Sequence, residues 1–186
     1  MIIDDIMTDK ITLHGLGFVQ VQLPGNQRIH VWHPDLPRRS CFEHSAIHNH
    51  RFGFRSIVLV GEQINIPVEV IPNEAGSHIL YLHEGARTAN GGRPWVPDGR
   101  VDLVEHVPDS IMAGRHYHVR PYDYHRTAAG GNGQVATLLT KIHAGYYGAH
   151  SSCAVDVEPD ADFDRFQWAP SRLWEVVSAV LTGGVA

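Results

Sequence analysis

The stretch Ile47–Gly61 reads IHNHRFGFRSIVLVG and sets the pattern for the chain. It begins with two histidines one residue apart and continues as an aromatic and aliphatic run, rich in β-branched residues, that stops at Gly61. Such a run predicts a β-strand, in which side chains at positions i and i+2 share a face. We therefore expect His48 and His50 to project side by side from the start of this strand.

Strand-sized segments of the same kind recur through most of the chain, separated by Gly, Pro, Asn and Asp at short intervals. Eight or more short strands in one unbroken run are typical of an all-β sandwich or barrel. Pro67 favours an edge position or a bulge for its own strand, because proline cannot donate to a sheet ladder. The predicted strands are 16–23, 28–33, 54–61, 64–72, 77–85, 100–107, 115–120 and 134–144.

Helical spacing is clear only near the end of the chain. Apolar residues recur at that spacing from Leu173 to Leu181, Ser171 can cap the segment, and Gly183 and Gly184 can stop it. We predict a helix over 171–182, packed by its apolar stripe on the outside of a β core over 16–144. No linker or repeat divides the sequence, so it predicts a single domain over 1–186.

Composition excludes several classes of partner and compartment. The net charge of −5 and the pI near 6.2 give no basic footprint for nucleic acid or for an acidic membrane surface. Two cysteines are too few for a disulfide framework and indicate free thiols in a reducing compartment. The acidic N-terminal stretch does not resemble a signal peptide, and no segment reaches the roughly 18 apolar residues of a membrane span. We expect a soluble, cytoplasmic protein that acts on a small molecule.

Histidine is the compositional anomaly, with 14 residues scattered along the chain. Two adjacent imidazoles cannot both be charged, and a metal ion satisfies both lone pairs at once, so His-x-His on a strand favours a metal half-site. The alternative is a pair of half-exposed histidines bonded to backbone or water. A second half-site appears in RPYDYHRTAAGGNG (120–133), where a proline and a tight turn precede His125 at the start of another strand.

These two stretches resemble the two motifs of the cupin superfamily, and they also resemble small uncharacterised cupin-like proteins of bacteria and phages. The first cupin motif is His-x-His followed by a glycine about ten residues later; the second is a proline, a turn and one histidine. The matching residues are His48, His50, Gly61, Pro121, Asp123 and His125. The resemblance covers roughly residues 28–143 and implies a double-stranded β-helix, the jelly-roll barrel of cupins.

The resemblance also implies one divalent metal ion near the barrel axis, bound by His48, His50 and His125. Many cupins carry a glutamate four or five residues after His-x-His, where this chain has Phe54 and Arg55. The implied site therefore has three histidines, as in the cysteine dioxygenase-like cupins. Three neutral ligands leave the ion its charge and open positions for an anionic substrate and dioxygen. Iron(II) is the favoured cofactor, with nickel, manganese or zinc as alternatives.

Residues close to the two motifs are candidates for binding substrate, and none is assigned a catalytic role. His116 and His118 share one strand face by parity, and Arg120 continues that face. Tyr124 and Phe54 complete the candidate set. His116 and His118 can equally lie on a solvent-facing sheet surface, or replace the ligands of the first motif in another register.

Arg51 and Arg55 flank the first motif but have odd numbers, whereas the predicted ligands have even numbers. In a regular strand both arginines point away from the metal. A bulge at Gly53 would reverse this direction.

Two functions stay open at this level. The first is a mononuclear non-haem metal enzyme, an iron-dependent, dioxygenase-type oxidoreductase that acts on a small polar molecule. The second is a non-catalytic jelly-roll module that binds a small ligand. We also expect a homodimer that pairs through a sheet edge, with the Pro67 strand as the candidate edge.

Overall fold

The structure is a computed structural model of the chain and describes residues 6–183. In this part of the chain the backbone forms mainly antiparallel strands with one short and one long helix. The helices are α1 (Phe42–Ser45) and α2 (Pro170–Leu181). The strands are β1 (Ile11–His14), β2 (Phe18–Leu23), β3 (Gln27–Trp32), β4 (Phe52–Val60), β5 (Glu62–Pro72), β6 (His78–His83), β7 (Val96–Glu105), β8 (Asp109–Met112), β9 (His116–Val119), β10 (Tyr124–Ala129), β11 (Val135–Ala144) and β12 (Ala149–Ala154).

Two antiparallel sheets make up the body of the molecule. The first has the order β1-β2-β3-β11-β4-β9, and the second has the order β10-β5-β7-β6-β12, with β8 also paired to β5. The prediction of a β-rich fold with a C-terminal helix is confirmed. Strands 16–23, 28–33 and 134–144 were predicted within two residues of their observed bounds.

The α2 helix covers one face of the first sheet, as predicted from its apolar stripe. Leu173, Trp174, Val177 and Val180 are buried in one cluster with the odd-numbered apolar residues of β1, β2 and β3. The helix begins at Pro170 with Ala169 as its cap, two residues earlier than a Ser171 cap allows, because proline is well suited to the first helical position. No helix within residues 6–183 is long and apolar enough to cross a membrane.

The opposite face of the same three strands is polar and looks into the space between the sheets. Gln20 pairs with His30, and Gln22 with Arg28, across the β2–β3 ladder. Alternation along each strand therefore puts a valine-rich face under α2 and a polar face toward the interior. A cavity of about 520 Å³ lies against this polar face.

Strands β1 and β12 lie outside the predicted 16–144 core, and β8 was missing from the prediction, whereas β10 matches the strand expected to begin near His125. β12 reads AHSSCA, a small and polar segment with little intrinsic strand preference. It is nevertheless paired along its whole length with β6. Tertiary pairing therefore extends the β core to Ala154.

The expected edge position of Pro67 is wrong. Its strand, β5, pairs with β10 on one side and with β8 and β7 on the other. The backbone of Pro67 faces the gap between the end of β7 and the start of β8, where its carbonyl accepts the N–H of His106. The missing N–H of proline therefore breaks no ladder. β5 has no free edge along this stretch for a homodimer, and the homodimer stays a prediction.

Gly61, the glycine of the first motif, is required by the turn between β4 and β5. It adopts a φ of 75°, and a Cβ here would collide with the carbonyl oxygen of Gln134. Gly25 has a similar φ of 68° but open space around it. We expect Gly61→Ala to lower the free energy of unfolding by about 3 kcal/mol and Gly25→Ala by about 1 kcal/mol, because only the first adds a clash to the backbone strain. Urea unfolding of both variants measures the difference, and equal losses would contradict the role of Gly61.

Candidate metal centre

Main-chain pairing brings the two predicted motifs together. The N–H of His48 donates to the carbonyl of His125 at 2.9 Å, and the N–H of His125 donates back to His48 at 2.9 Å. On its other side, the segment 47–49 bonds to β12 through Asn49 and Ile47. This segment therefore links β10 and β12, the two end strands of the second sheet.

The side chains of His48, His50 and His125 form one group, which we call the histidine triad. Directly paired residues share a face, and the rings of His48 and His125 lie 4.9 Å apart. His50 follows two residues later, with its ring 4.8 Å from that of His48. The Nε2 atoms of His50 and His125 are 3.2 Å apart, and one ring nitrogen from each residue lies within 4.8 Å of the other two.

Hydrogen bonds fix the tautomers of two triad rings. His48 Nδ1 lies 2.9 Å from the carbonyl oxygen of Ala46, and His125 Nδ1 lies 2.7 Å from Oδ1 of the buried Asn65 on β5. Both partners only accept, so both Nδ1 atoms carry the proton. The Nε2 atoms of His48 and His125 are therefore unprotonated, and that of His125 accepts a hydrogen bond from His50 Nε2 at 3.2 Å when His50 carries its proton there. In metal proteins, a hydrogen bond from the ring nitrogen that does not bind the metal orients the histidine ligand in the same way.

Burial keeps the triad rings neutral. Desolvation lowers the pKa of His48 to about 4. It also lowers the pKa values of His50 and His125 well below the usual range, and the other triad rings add to the effect. At neutral pH the triad therefore offers three uncharged nitrogen ligands, as metal binding requires.

The donor set fits a divalent transition-metal ion. Two nitrogens held at about 2.1 Å from one ion lie about 3.0–3.4 Å apart, which the 3.2 Å separation between His50 and His125 matches. Within residues 6–183, the group of possible ligands at this site consists of the three histidines and includes no carboxylate. At the two positions where the motif resemblance would place a glutamate, Phe54 packs its ring 5.2 Å from that of His50, and Arg55 is exposed.

His48 and His50 open into the cavity, which also contains histidines that the sequence analysis missed. His14 and His30 come from the polar face of β1 and β3. His83 donates from Nδ1 to the carbonyl of Pro94 at 3.2 Å, and its Nε2 lies 2.9 Å from the hydroxyl of Ser151. The sequence contains a pattern that could have identified His14 and His30. Both occupy even-numbered positions, like Gln20 and Gln22, and these positions form the polar face of the consecutive strands β1, β2 and β3.

The structure does not bring His116, His118 and Arg120 to the triad. All three are exposed, and Arg120 forms an ion pair with Asp123 at 3.0 Å. In the β4–β9 ladder His118 lies opposite the exposed Arg55, so its side chain points outward as well. The expectation that these residues contact substrate is therefore corrected, and the solvent-facing alternative describes them.

Phe54 and Tyr124 occupy different positions relative to the triad. Phe54 is buried, with its ring 5.2 Å from His50 and 6.0 Å from His125, so it packs against the ligands from within the core. Tyr124 precedes His125 on β10 and therefore points to the other face of the strand. Its ring lies 6.5 Å from that of His150. Tyr124 is thus not part of the triad.

Arg51 and Arg55 point in different directions, contrary to the expectation that both point away. Arg55 is exposed on β4, as parity predicts. Arg51 precedes the start of β4 and lines the cavity. The β4–β11 ladder changes register between Lys141 and His143, opposite Gly53. Strand parity therefore does not extend back to Arg51.

No known family model matches this chain, and no curated protein matches it. The resemblance to cupins therefore consists of the two motifs. The arrangement of the triad is independent of that resemblance, because it follows from the pairing of His48 with His125.

The buried histidines predict acid sensitivity. Burial and neighbouring cations, Arg28 foremost, lower the pKa of His30 to about 3, whereas the unfolded chain titrates near 6.5. Below pH 6.5 His30 is protonated in the unfolded state but stays neutral in the folded state. Its contribution to the free energy of unfolding is therefore fully present above pH 6.5 and is lost as the pH falls toward 3. At pH 5 this amounts to about 2 kcal/mol.

We therefore expect His30→Gln to reduce the loss of unfolding free energy between pH 7.5 and pH 5 by about 2 kcal/mol. Urea unfolding of metal-free protein at both pH values gives this difference. His116→Gln, on the exposed face, controls for the loss of a histidine. An unchanged pH dependence in His30→Gln would show that His30 titrates in the folded state.

Proposed function

We propose that this protein binds one divalent transition-metal ion through His48, His50 and His125 and acts as a mononuclear non-haem metal enzyme on a small polar molecule. One observation carries the proposal. Three neutral imidazoles from two distant segments of the chain converge within 4.8 Å, and two of them, His48 and His50, line a cavity. Separate hydrogen bonds from Nδ1 hold two of these rings with Nε2 unprotonated.

The cupin jelly roll is the fold that we propose for this centre. Two antiparallel sheets and a C-terminal helix support it. The positions of the motifs support it as well. His48 and His50 lead into β4, and His125 lies on β10, a separate strand that pairs with the backbone of His48.

Iron(II) is the ion that we favour, with nickel, manganese and zinc as the alternatives that imidazole ligands accept. Bound by three neutral ligands, such an ion supplies open coordination positions and a Lewis acid for oxygen chemistry. The chain itself supplies orientation, because Ala46 and Asn65 hold the ligand rings. The buried ring of Phe54 supports the ligand rings from the core side.

Metal content tests the proposal directly. Untagged wild-type protein purified without chelator should contain close to one equivalent of metal by inductively coupled plasma mass spectrometry. His48→Ala and His125→Ala should each lose it, because two remaining imidazoles hold a divalent ion weakly. His118→Ala, which removes an exposed histidine, should retain it. Wild-type protein that stays metal-free after reconstitution with each ion would refute the metal centre and direct attention to the binding-module alternative.

Asn65 provides a finer test of ligand orientation. Asn65→Leu removes the acceptor for His125 Nδ1–H and should weaken metal binding 10- to 100-fold, as is usual when such a partner of a ligand is lost. Asn65→Asp keeps an acceptor oxygen and should retain most of the affinity. Competition with a chromophoric chelator measures both. Equal affinities for Asn65→Leu and the wild type would show that the hydrogen bond does not orient the ligand.

A further inference from the structure

Basic side chains outnumber acidic ones in the wall of the cavity beside the triad. Five of them affect one another through their charges, and we call this group the basic wall: Arg28, Arg51, Arg87, Lys141 and Arg165. The acidic residues that line the cavity are Glu84 and Asp160. This bias is unexpected for a chain with a net charge of −5.

The two acidic residues do not neutralise the basic wall. Glu84 Oε1 accepts the backbone N–H of Gly148 at 2.9 Å. Asp160 Oδ2 accepts the N–H of Ser40 at 2.8 Å and its hydroxyl at 3.2 Å. Within residues 6–183, every ion pair lies outside the basic wall. The positive charge of the basic wall is thus uncompensated by the protein.

Neutral acceptors hold two of the basic side chains in place. Arg28 donates from Nε to Gln22 Oε1 at 3.1 Å, and Arg165 donates from Nε to the carbonyl of Leu13 at 3.0 Å. A guanidinium has five N–H donors, so each arginine is positioned while some donors stay available. Carboxylate and phosphate groups are the ligands that such a planar donor set matches best.

The basic wall reaches the neighbourhood of the triad through Phe52. The Arg28 guanidinium carbon lies 5.4 Å from the centre of the Phe52 ring, and Lys141 Nζ lies 4.8 Å from it. The same ring lies 5.2 Å from that of His50. A small molecule can therefore contact Arg28 or Lys141 and the triad at once.

The cations repel one another in the absence of a ligand. Burial, and then the charges of Arg87 and Arg51, lower the pKa of Arg28 to about 10. Burial and the neighbouring Arg28 and Arg51 lower the pKa of Lys141 to about 8. An anion in the cavity would relieve this repulsion. Since several cations share it, an anion with two or more charges relieves it best.

We propose that the cavity binds a small organic molecule with at least two negative charges, carried by two carboxylates or one phosphate monoester, and that Arg28, Lys141 and Arg165 hold this anionic part. The volume of about 520 Å³ suits a small molecule. As the class of substrate, this ligand rests on the proposed metal enzyme. As a binding event, it does not depend on the metal.

The test is isothermal titration calorimetry of metal-free protein at constant ionic strength. The probes are malonate, glycerol 3-phosphate and, as the neutral control, glycerol. Malonate or glycerol 3-phosphate should bind with a dissociation constant at least tenfold below that of glycerol. The tighter of the two identifies the carboxylate or the phosphate source. Glycerol binding as tightly as both anions, or no binding of any probe, would overturn the proposal.

Variants test the assigned residues. Arg28→Gln and Arg165→Gln should each weaken binding of the better anion at least about tenfold, since each removes a charge-assisted hydrogen bond. Arg55→Gln makes the same charge change on the exposed face and should stay within twofold of the wild type. If either arginine variant does not fold, Lys141→Gln replaces it, because Lys141 has a flexible side chain. This variant should also weaken binding of the better anion. Losses equal to that of Arg55→Gln would overturn the assignment.

His48→Ala separates this inference from the proposed function. The variant should bind the anion like the metal-free wild type while holding no metal. If wild-type protein binds the anion but takes up no metal, the cavity assignment stands and the proposed enzyme is refuted. If wild-type protein takes up metal but binds no anion, the metal centre stands and the cavity assignment is refuted.

Discussion

The reciprocal main-chain hydrogen bonds between His48 and His125 are the constraint on which the candidate site depends. They join the two motifs residue to residue, so that both side chains leave the same face and the ring of His50 follows at the next position of that face. The same segment, 47–49, also pairs with β12 and links the two ends of the second sheet. The backbone that assembles the ligands is therefore also the backbone that completes the sheet, and neither can change without the other.

The triad contains a close contact that a cation can replace. The Nε2 atoms of His50 and His125 lie 3.2 Å apart in rings that burial keeps neutral. At this distance either a proton on His50 Nε2, donated to His125 Nε2, or a metal ion lies between the two nitrogens. The hydrogen bond from His125 to Asn65 holds the His125 ring in position for either one. Such preorganisation raises affinity because less is lost in ordering the ligands when the ion binds.

Local pattern predicted the parts of this structure that depend on residues close together in the sequence. The shared side of His48 and His50, the apolar stripe of α2 and the turn at Gly61 all belong to this class. Parity alone does not say which face of a strand is inside, and His116 and His118 point outward because β9 pairs in register with the exposed Arg55. Pro67 and the polar strand β12 were misjudged for a related reason: propensity describes a residue by itself, whereas pairing with β7, β8 and β6 decides both.

The basic wall and the triad act on each other through charge. Burial is the main cause that lowers the pKa values of His50 and His48. Arg28 adds to the effect on His50, while Arg39, a cavity residue outside the basic wall, adds to the effect on His48. The same positive potential that attracts an anion thus helps to keep the rings unprotonated, but it also opposes a metal cation. An anion bound at the basic wall would cancel that opposition and so strengthen metal binding at the triad. By thermodynamic linkage, metal at the triad would strengthen anion binding by the same factor. The two sites would therefore favour joint occupancy, because the two negative charges of the ligand offset the two positive charges of the ion.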